Sequence, residues 1–232
     1  MRVNFAGGAW IIGSSCGMLR SEPPEKLPEI DQLFPRIPAR LGRFDDFTRL
    51  GFAVVGLALR EAGWTPITQS DSTGLIVSTQ YGVLQTDLDY YATTIEQDAL
   101  LSSPNLFSYT LPVAIIGECA GFFNIKGPAF CIGDDGSSGM KALETALLML
   151  HGGHAQRMIA AWIEAPPEFA QPKQAFAAAV VLGLGRDGMA QEEKTLQEIL
   201  KRSAPSRGEH ASSLFEIFPH WAARGPSLGE SL

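Results

Sequence analysis

The chain has 232 residues, of which 45% are hydrophobic and 19% charged, and a formal net charge of −7. That is enough for one sizeable domain or two small ones of ordinary globular composition. The acidic balance argues against a nucleic-acid partner, and no apolar run, including Ala175 to Leu184, is long enough to span a bilayer. The three cysteines, Cys16, Cys119 and Cys131, are widely spaced and form no CxxC pair. They read as reduced thiols in a cytoplasmic protein.

Residues 1–13 read as a first buried strand ending in a Gly-Ser turn. A signal peptide is the competing reading, but one basic residue and a glycine-broken apolar run argue against it. Residues 21–43 are loop-like, because Pro23, Pro24, Pro28, Pro35 and Pro38 bar regular helix. A helix starts near Asp45 or Asp46, presents Phe47, Leu50, Val54 and Leu57 on one face, and ends at Ala62-Gly63. Thr73 to Thr79 is a short apolar run, expected as a buried strand. Helices are expected over Asp87 to Leu101, where Ser103-Pro104 breaks the pattern, and over Val113 to Phe123.

Ala129 to Gly133 reads as a strand, Ser138 to His151 as a helix stopped by Gly152-Gly153, and Arg157 to Ile163 and Phe176 to Leu184 as strands. This alternation predicts a three-layer α/β domain with a mixed sheet. Residues 189–232 differ: one amphipathic helix, Glu192 to Arg202, precedes a Ser/Pro/Gly-rich segment. The expected division is therefore 1–188 and 189–232. No internal repeat is visible.

The most informative stretch runs from Gly127-Pro128 through Asp134-Asp135-Gly136-Ser137-Ser138-Gly139 into Met140-Lys141. It is a short strand, a tight turn and a helix. Such a turn suits a nucleophile, because a strand end aims a side chain outward and the next helix N-terminus stabilises negative charge. Asp134 and Asp135 are adjacent, so an extended backbone would point them to opposite faces. The reading is that one caps the following helix and the other faces solvent or a partner. Ser137 stands one glycine short of a Gly-x-Ser-x-Gly elbow. As a nucleophile it would need a base from His151, His154, His210 or His220, and no spacing rule selects one. His151 and His154 flank two glycines with no cysteine or carboxylate beside them, which suits a helix end better than a metal. Cys131 and Cys119 read as packed thiols. Tyr81, Tyr90, Tyr91, Phe107 and Tyr109 read as core and interface aromatics. Gly133 to Gly136 lacks the lysine of a phosphate loop. No cofactor or metal is called for.

The turn resembles the nucleophile segment of the β-ketoacyl synthases, where a Gly-Pro strand leads into Thr-Ala-Cys-x-Ser-Gly. Counted from Gly127-Pro128, Gly136 fills the cysteine's slot. Other pieces fall in the same order. Arg43-Phe44-Asp45-Asp46-Phe47-Thr48 resembles the family's Arg-Met-Asp-x-x-Thr helix start. Gly74 to Thr79 followed by Gly82 resembles its strand exit. Ala160 to Glu164 resembles its strand-Glu ending. The resemblance covers residues 1 to about 185 and implies a thiolase-like three-layer α/β/α half-domain with a mixed sheet.

Two departures shape what the resemblance implies. A glycine carries no thiolate, so thioester condensation by the usual route is not expected. The family's catalytic histidines lie in a second half that residues 189–232 are too short to supply, and His210 and His220 sit in no such motif. The resemblance therefore points to a chain-length-factor type subunit of fatty-acid-like, polyketide or aryl polyene synthesis, without catalytic residues of its own. Its implied partners are an active β-ketoacyl synthase or a second copy, with acyl carrier protein acting indirectly. A lone half is also expected to leave an apolar surface that a partner, a second copy or residues 189–232 would cover. Phe130, Cys131, Ile132 and Asp134 are the expected interface residues. The competing expectation is an acyl thioesterase or hydrolase using Ser137 or Asp135 with a histidine.

Overall fold

A computed structural model describes residues 3–12, 15–18, 25–26, 29–34, 36–63, 72–95, 102–136, 139–170 and 174–184. The expected helix over Glu192 to Arg202, together with Ser137, His210 and His220, lies outside the described residues.

The chain opens with β1 (Val3–Ile12), β2 (Ser15–Met18) and the two-residue β3 (Glu25–Lys26). The first strand is as expected, whereas β2 and β3 add pairing to stretches the sequence left without a strand. A short 3-10 turn over Leu41–Arg43 leads to α1 (Asp46–Glu61). Asp45 caps α1: its carboxylate accepts from the Thr48 amide at 2.9 Å and from the Thr86 hydroxyl at 2.8 Å. Gly63, with φ of 71°, ends the helix. The expected single apolar face is too narrow. Residues 51–59 are buried all round, because the sheet covers one side of α1 while Phe34 and Phe123 pack against the other.

Next come β4 (Thr73–Thr79), α2 (Leu84–Ile95), α3 (Pro104–Phe107) and α4 (Ala114–Phe123). The α2 helix starts three residues before the expected Asp87, straight after a turn at Gly82. Ser103 caps α3, with Pro104 at its first turn. The chain then forms β5 (Ala129–Gly133), α5 (Met140–His151), β6 (Arg157–Glu164) and β7 (Phe176–Leu184).

The strands form one seven-stranded sheet in the order β3-β2-β1-β7-β6-β4-β5. Strand β4 runs parallel to β5 and β6, and β7 runs antiparallel to both β6 and β1. Alternate residues feed two cores. Leu75, Val77, Ile159, Ile163 and Val181 pack towards α1 and α4. Ile76, Met158, Trp162, Val180 and Leu182 pack towards α5, against Met140, Leu143, Leu147 and Leu150. The result is the expected α/β/α arrangement on a mixed sheet. The outward face of α5 is not broadly apolar: Glu144 and His151 flank the exposed Leu148.

Two connections place the site. From β4 the chain passes through α4, on one face of the sheet, to β5. From β5 it returns through α5, on the opposite face, to β6. The exits of β4 and β5 therefore diverge to opposite faces and leave a crevice at their carboxyl ends.

Candidate functional site

The crevice is an open pocket of about 430 Å³. One wall is the β4 exit, Thr79 to Gly82. A second is Leu111-Pro112-Val113, just before α4. The third is the end of β5, Cys131 to Gly133. Its lining is mainly apolar.

The turn after β5 extends this rim. The Asp134 amide donates to the Thr79 carbonyl at 2.8 Å, continuing the β4–β5 ladder by one residue. The Asp134 carboxylate then folds over its own turn. It accepts from the Gly136 amide at 2.9 Å and from the Gly139 amide at 2.8 Å. The expected aspartate cap is not formed: the N-cap residue is Gly139, without a side-chain cap, and Asp134 binds that residue's own amide just ahead of the helix. Helix α5 begins at Met140, with Gly139 at φ of 86°, two residues later than the sequence suggests. Asp135 pairs with Lys141 at 2.7 Å on the exposed surface.

Gly136 occupies the position where the resemblance puts a nucleophile. It is exposed, with φ of 93°, and a Cβ built there would meet nothing within 4 Å. The slot thus has room for a side chain but a backbone that favours glycine. Its amide donates to the Asp134 carboxylate and is not available to stabilise an oxyanion.

Among the described residues, the remaining candidate groups do not complete a catalytic site. His151 and His154 lie at the far end of α5, about 17 Å along the helix axis from the turn. Neither is within reach of Asp135. Among the described residues, no cluster of three or more His, Cys, Asp or Glu could hold a metal ion. Cys131 reaches the pocket wall, but its thiol donates to the Pro112 carbonyl at 3.4 Å and burial pushes its pKa up to about 12. Burial, and then the nearby Glu118 carboxylate, also push the Cys119 thiol up. Neither thiol replaces the missing nucleophile.

Phe130, Cys131 and Ile132 lie on β5, at one edge of the sheet, and Asp134 lies in the turn that follows it. All four are half-buried, and Gly133 is exposed. Of the aromatics, Tyr109 is core, Tyr81 lines the pocket, and Tyr90 packs against Phe107 with centroids 5.4 Å apart. Tyr91 and Phe107 are more than 60% exposed, as is Leu111 on the pocket rim.

Glu164 is the residue whose part sequence reasoning missed, although its place at a strand end was noted. It is 2% exposed at the end of β6. Its Oε1 accepts from the Gln80 amide at 2.6 Å and the Trp162 indole at 3.0 Å. Its Oε2 accepts from the Tyr81 amide and the Thr79 hydroxyl, both at 3.1 Å. Desolvation raises its pKa above the ordinary carboxylate value, against the lowering effect of these donors. A glutamate closing an apolar strand was the signal available in the sequence.

Residues 20–179 match the family described as the β-ketoacyl synthase N-terminal domain. No curated protein matches the chain by sequence. Many solved structures share its fold, among them three that involve a ketosynthase. One, the ishigamide ketosynthase/chain length factor, has a TM-score of 0.63 at 14% identity, covering 81% of this chain and 63% of that one. A second is a type II acyl-carrier protein in complex with its ketosynthase, with a TM-score of 0.61 at 16% identity, covering 87% and 64%. The third is a ketosynthase in complex with its chain length factor from Xenorhabdus doucetiae, with a TM-score of 0.59 at 16% identity. There the alignment covers 85% of this chain and 90% of the other. The chain thus spans less than two thirds of the first two structures' chains. No helix among the described residues is long and apolar enough to cross a membrane.

Proposed function

Because the chain belongs to the β-ketoacyl synthase family, through its N-terminal domain, we propose that it is a non-catalytic subunit of chain-length-factor type. In this reading it pairs with an active β-ketoacyl synthase and helps set the length of the acyl chain the pair makes. The product class is polyketide, fatty-acid-like or aryl polyene, and acyl carrier protein engages the complex mainly through the ketosynthase. Residues 1–188 form the synthase-like unit, 189–232 a separate tail, and the complex acts in the cytoplasm.

The observation that carries this reading is the turn at Gly136. The slot has no thiol, its backbone conformation disfavours one, and its amide is bound by Asp134. Two features support a partner. Exposed Tyr91, Phe107, Leu111 and Val113 gather on α2, α3 and the pocket rim, where a monomer gains nothing by exposing them.

The second feature is the open edge of β5. The Leu75 amide donates to the Pro128 carbonyl, and the Asp134 amide to the Thr79 carbonyl. With the β4–β5 register, this turns the backbone of Phe130 and Ile132 towards β4. The backbone of Ala129, Cys131 and Gly133 then faces outward, ready to pair with a strand of another subunit. The pocket would close between the two chains, with Gly136 leaving room at its rim.

Co-expression with a ketosynthase encoded beside it tests the reading. Co-purification, with product formation that needs both proteins, is the expected result. Condensation or thioester hydrolysis by this chain alone would overturn it.

A further inference from the structure

The pocket wall formed by Gln80, Tyr81 and Gly82 has no regular secondary structure to hold it. Its backbone is pinned from the far side of the sheet by one carboxylate. Each oxygen of Glu164 takes two donors: Gln80 and Trp162 on Oε1, Tyr81 and Thr79 on Oε2. The Thr79 hydroxyl in turn accepts from the Gly82 amide at 2.8 Å. The Thr79 carbonyl accepts from Asp134, so the same cluster reaches the turn at Gly136.

Four donors on two oxygens make a complete shell for this carboxylate once it is ionised. No cation faces it among the described residues. Burying such a charge opposes folding. A neutral, apolar side chain would fill this place at the end of β6 with less penalty. What only the carboxylate supplies is simultaneous acceptance from two consecutive loop amides, side by side, at the pocket wall.

We infer that Glu164 is a positioning residue that fixes the Gln80–Gly82 wall and, through it, determines which acyl chain ends the pocket admits. The second half of this inference rests on the proposed function. The first half does not.

Glu164→Gln separates the two. The variant replaces one acceptor oxygen by a donor. Placed on the Oε2 side, where the Thr79 hydroxyl can turn to accept, the new NH₂ leaves the Tyr81 amide facing another donor. Hydrogen exchange is measured residue by residue on the full chain. Exchange at Tyr81 should rise about tenfold or more, as for loss of one charge-assisted hydrogen bond, while Leu75 to Val77 stay unchanged. Thr79→Val, which leaves both loop amides on Glu164, should speed exchange at Gly82 alone. Glu164→Asp, which keeps the charge but shortens the reach to both loop amides, keeps the test decisive if the glutamine variant folds poorly: exchange at Gln80 and Tyr81 should rise together. Unchanged exchange at these amides in both Glu164 variants would overturn the inference.

The product distribution of the complex with its ketosynthase is then compared. Glu164→Gln should alter chain length without weakening assembly, which a purely structural lesion would not do. A loosened wall with an unaltered product length would overturn the specificity half. A wild-type chain that forms no complex would instead overturn the proposed function and leave the wall assignment standing.

Discussion

The Gly136 amide donates to the Asp134 carboxylate at 2.9 Å, so the turn that would carry a nucleophile binds its own side chain. Chemistry at this slot meets two obstacles. The slot has no thiol, and the donor nearest to it is already used. Gly136→Cys should therefore not restore condensation, alone or with Asp134→Ala. At φ of 93° a cysteine also brings backbone strain, of about 1–3 kcal/mol. Urea unfolding should show that loss, and an acyl-thioester assay should show no turnover. Condensation by the single variant without a partner protein would refute the non-catalytic reading.

Asp134→Ala should weaken the fold by about 1.5–3 kcal/mol, because it leaves the Gly136 and Gly139 amides without their charged acceptor. Asp135→Ala should cost little, about 0–1 kcal/mol, since its ion pair with Lys141 is exposed. Thermal unfolding of the two variants side by side checks the ranking. Equal losses would mean that the turn is not organised by Asp134.

The outward parity of β5 makes a sharp contrast between neighbours. Gly133→Pro removes an outward amide and should spare the monomer while weakening assembly with a ketosynthase or a second copy. Ile132→Pro removes a bond to β4 and should damage the fold itself. Cys131→Arg should also impair assembly, by placing a charge on the half-buried edge, whereas Glu29→Arg on the exposed surface should not. Light scattering and circular dichroism distinguish the two kinds of loss. If Gly133→Pro and Cys131→Arg both keep the wild-type assembly mass, this edge is not the interface.

Much of the fold was legible because local chemistry punctuates it. Thr73–Thr79, Ala129–Gly133 and Phe176–Leu184 have the bounds the sequence suggests, since glycine and proline fence short β-rich runs. Asp45 marked the start of α1 for the same reason. Helix α5 begins late because Ser137-Ser138-Gly139 reads as a helix start, while Gly139 takes a left-handed conformation. The β2 and β3 strands were hidden among glycine and proline. What made the site was non-local. The bonds from Glu164 to Thr79, Gln80 and Tyr81 span more than 80 residues. No periodicity encodes such a contact, and the edge position of β5 follows only from the strand order.

The close approach of Gly127 to β4 holds β5 in place. A Cβ on Gly127 would lie 2.6 Å from the Thr73 carbonyl oxygen, and one on Gly74 would run into the carbonyl oxygen of Pro128. Both obstacles are backbone and cannot rotate aside. Gly127→Ala should cost about 1–3 kcal/mol, the usual penalty of overpacking. Denaturant melts should show it, with the Cys131 thiol becoming easier to alkylate as β5 shifts. A neutral effect would mean that the β4–β5 spacing is less constrained than this geometry implies.

Glu164 sets an unusual pH dependence. Desolvation raises its folded-state pKa above the unfolded value near 4.5, and the donors from Gln80, Tyr81, Trp162 and Thr79 only partly oppose it. Between those two values the unfolded chain is ionised while the folded one still holds a proton. The folded state then binds more protons, so this group's contribution to stability declines as pH rises. The contribution is fully present below 4.5 and is lost as pH passes the raised folded value. Glutamine at this position does not titrate. The stability of wild type relative to Glu164→Gln should therefore fall as pH is raised from 4.5, and level off above the folded pKa. Paired urea titrations of the two proteins at closely spaced pH values measure this difference directly. A relative gain for wild type with rising pH would show that the four hydrogen bonds outweigh burial. The folded pKa would then lie below the unfolded value.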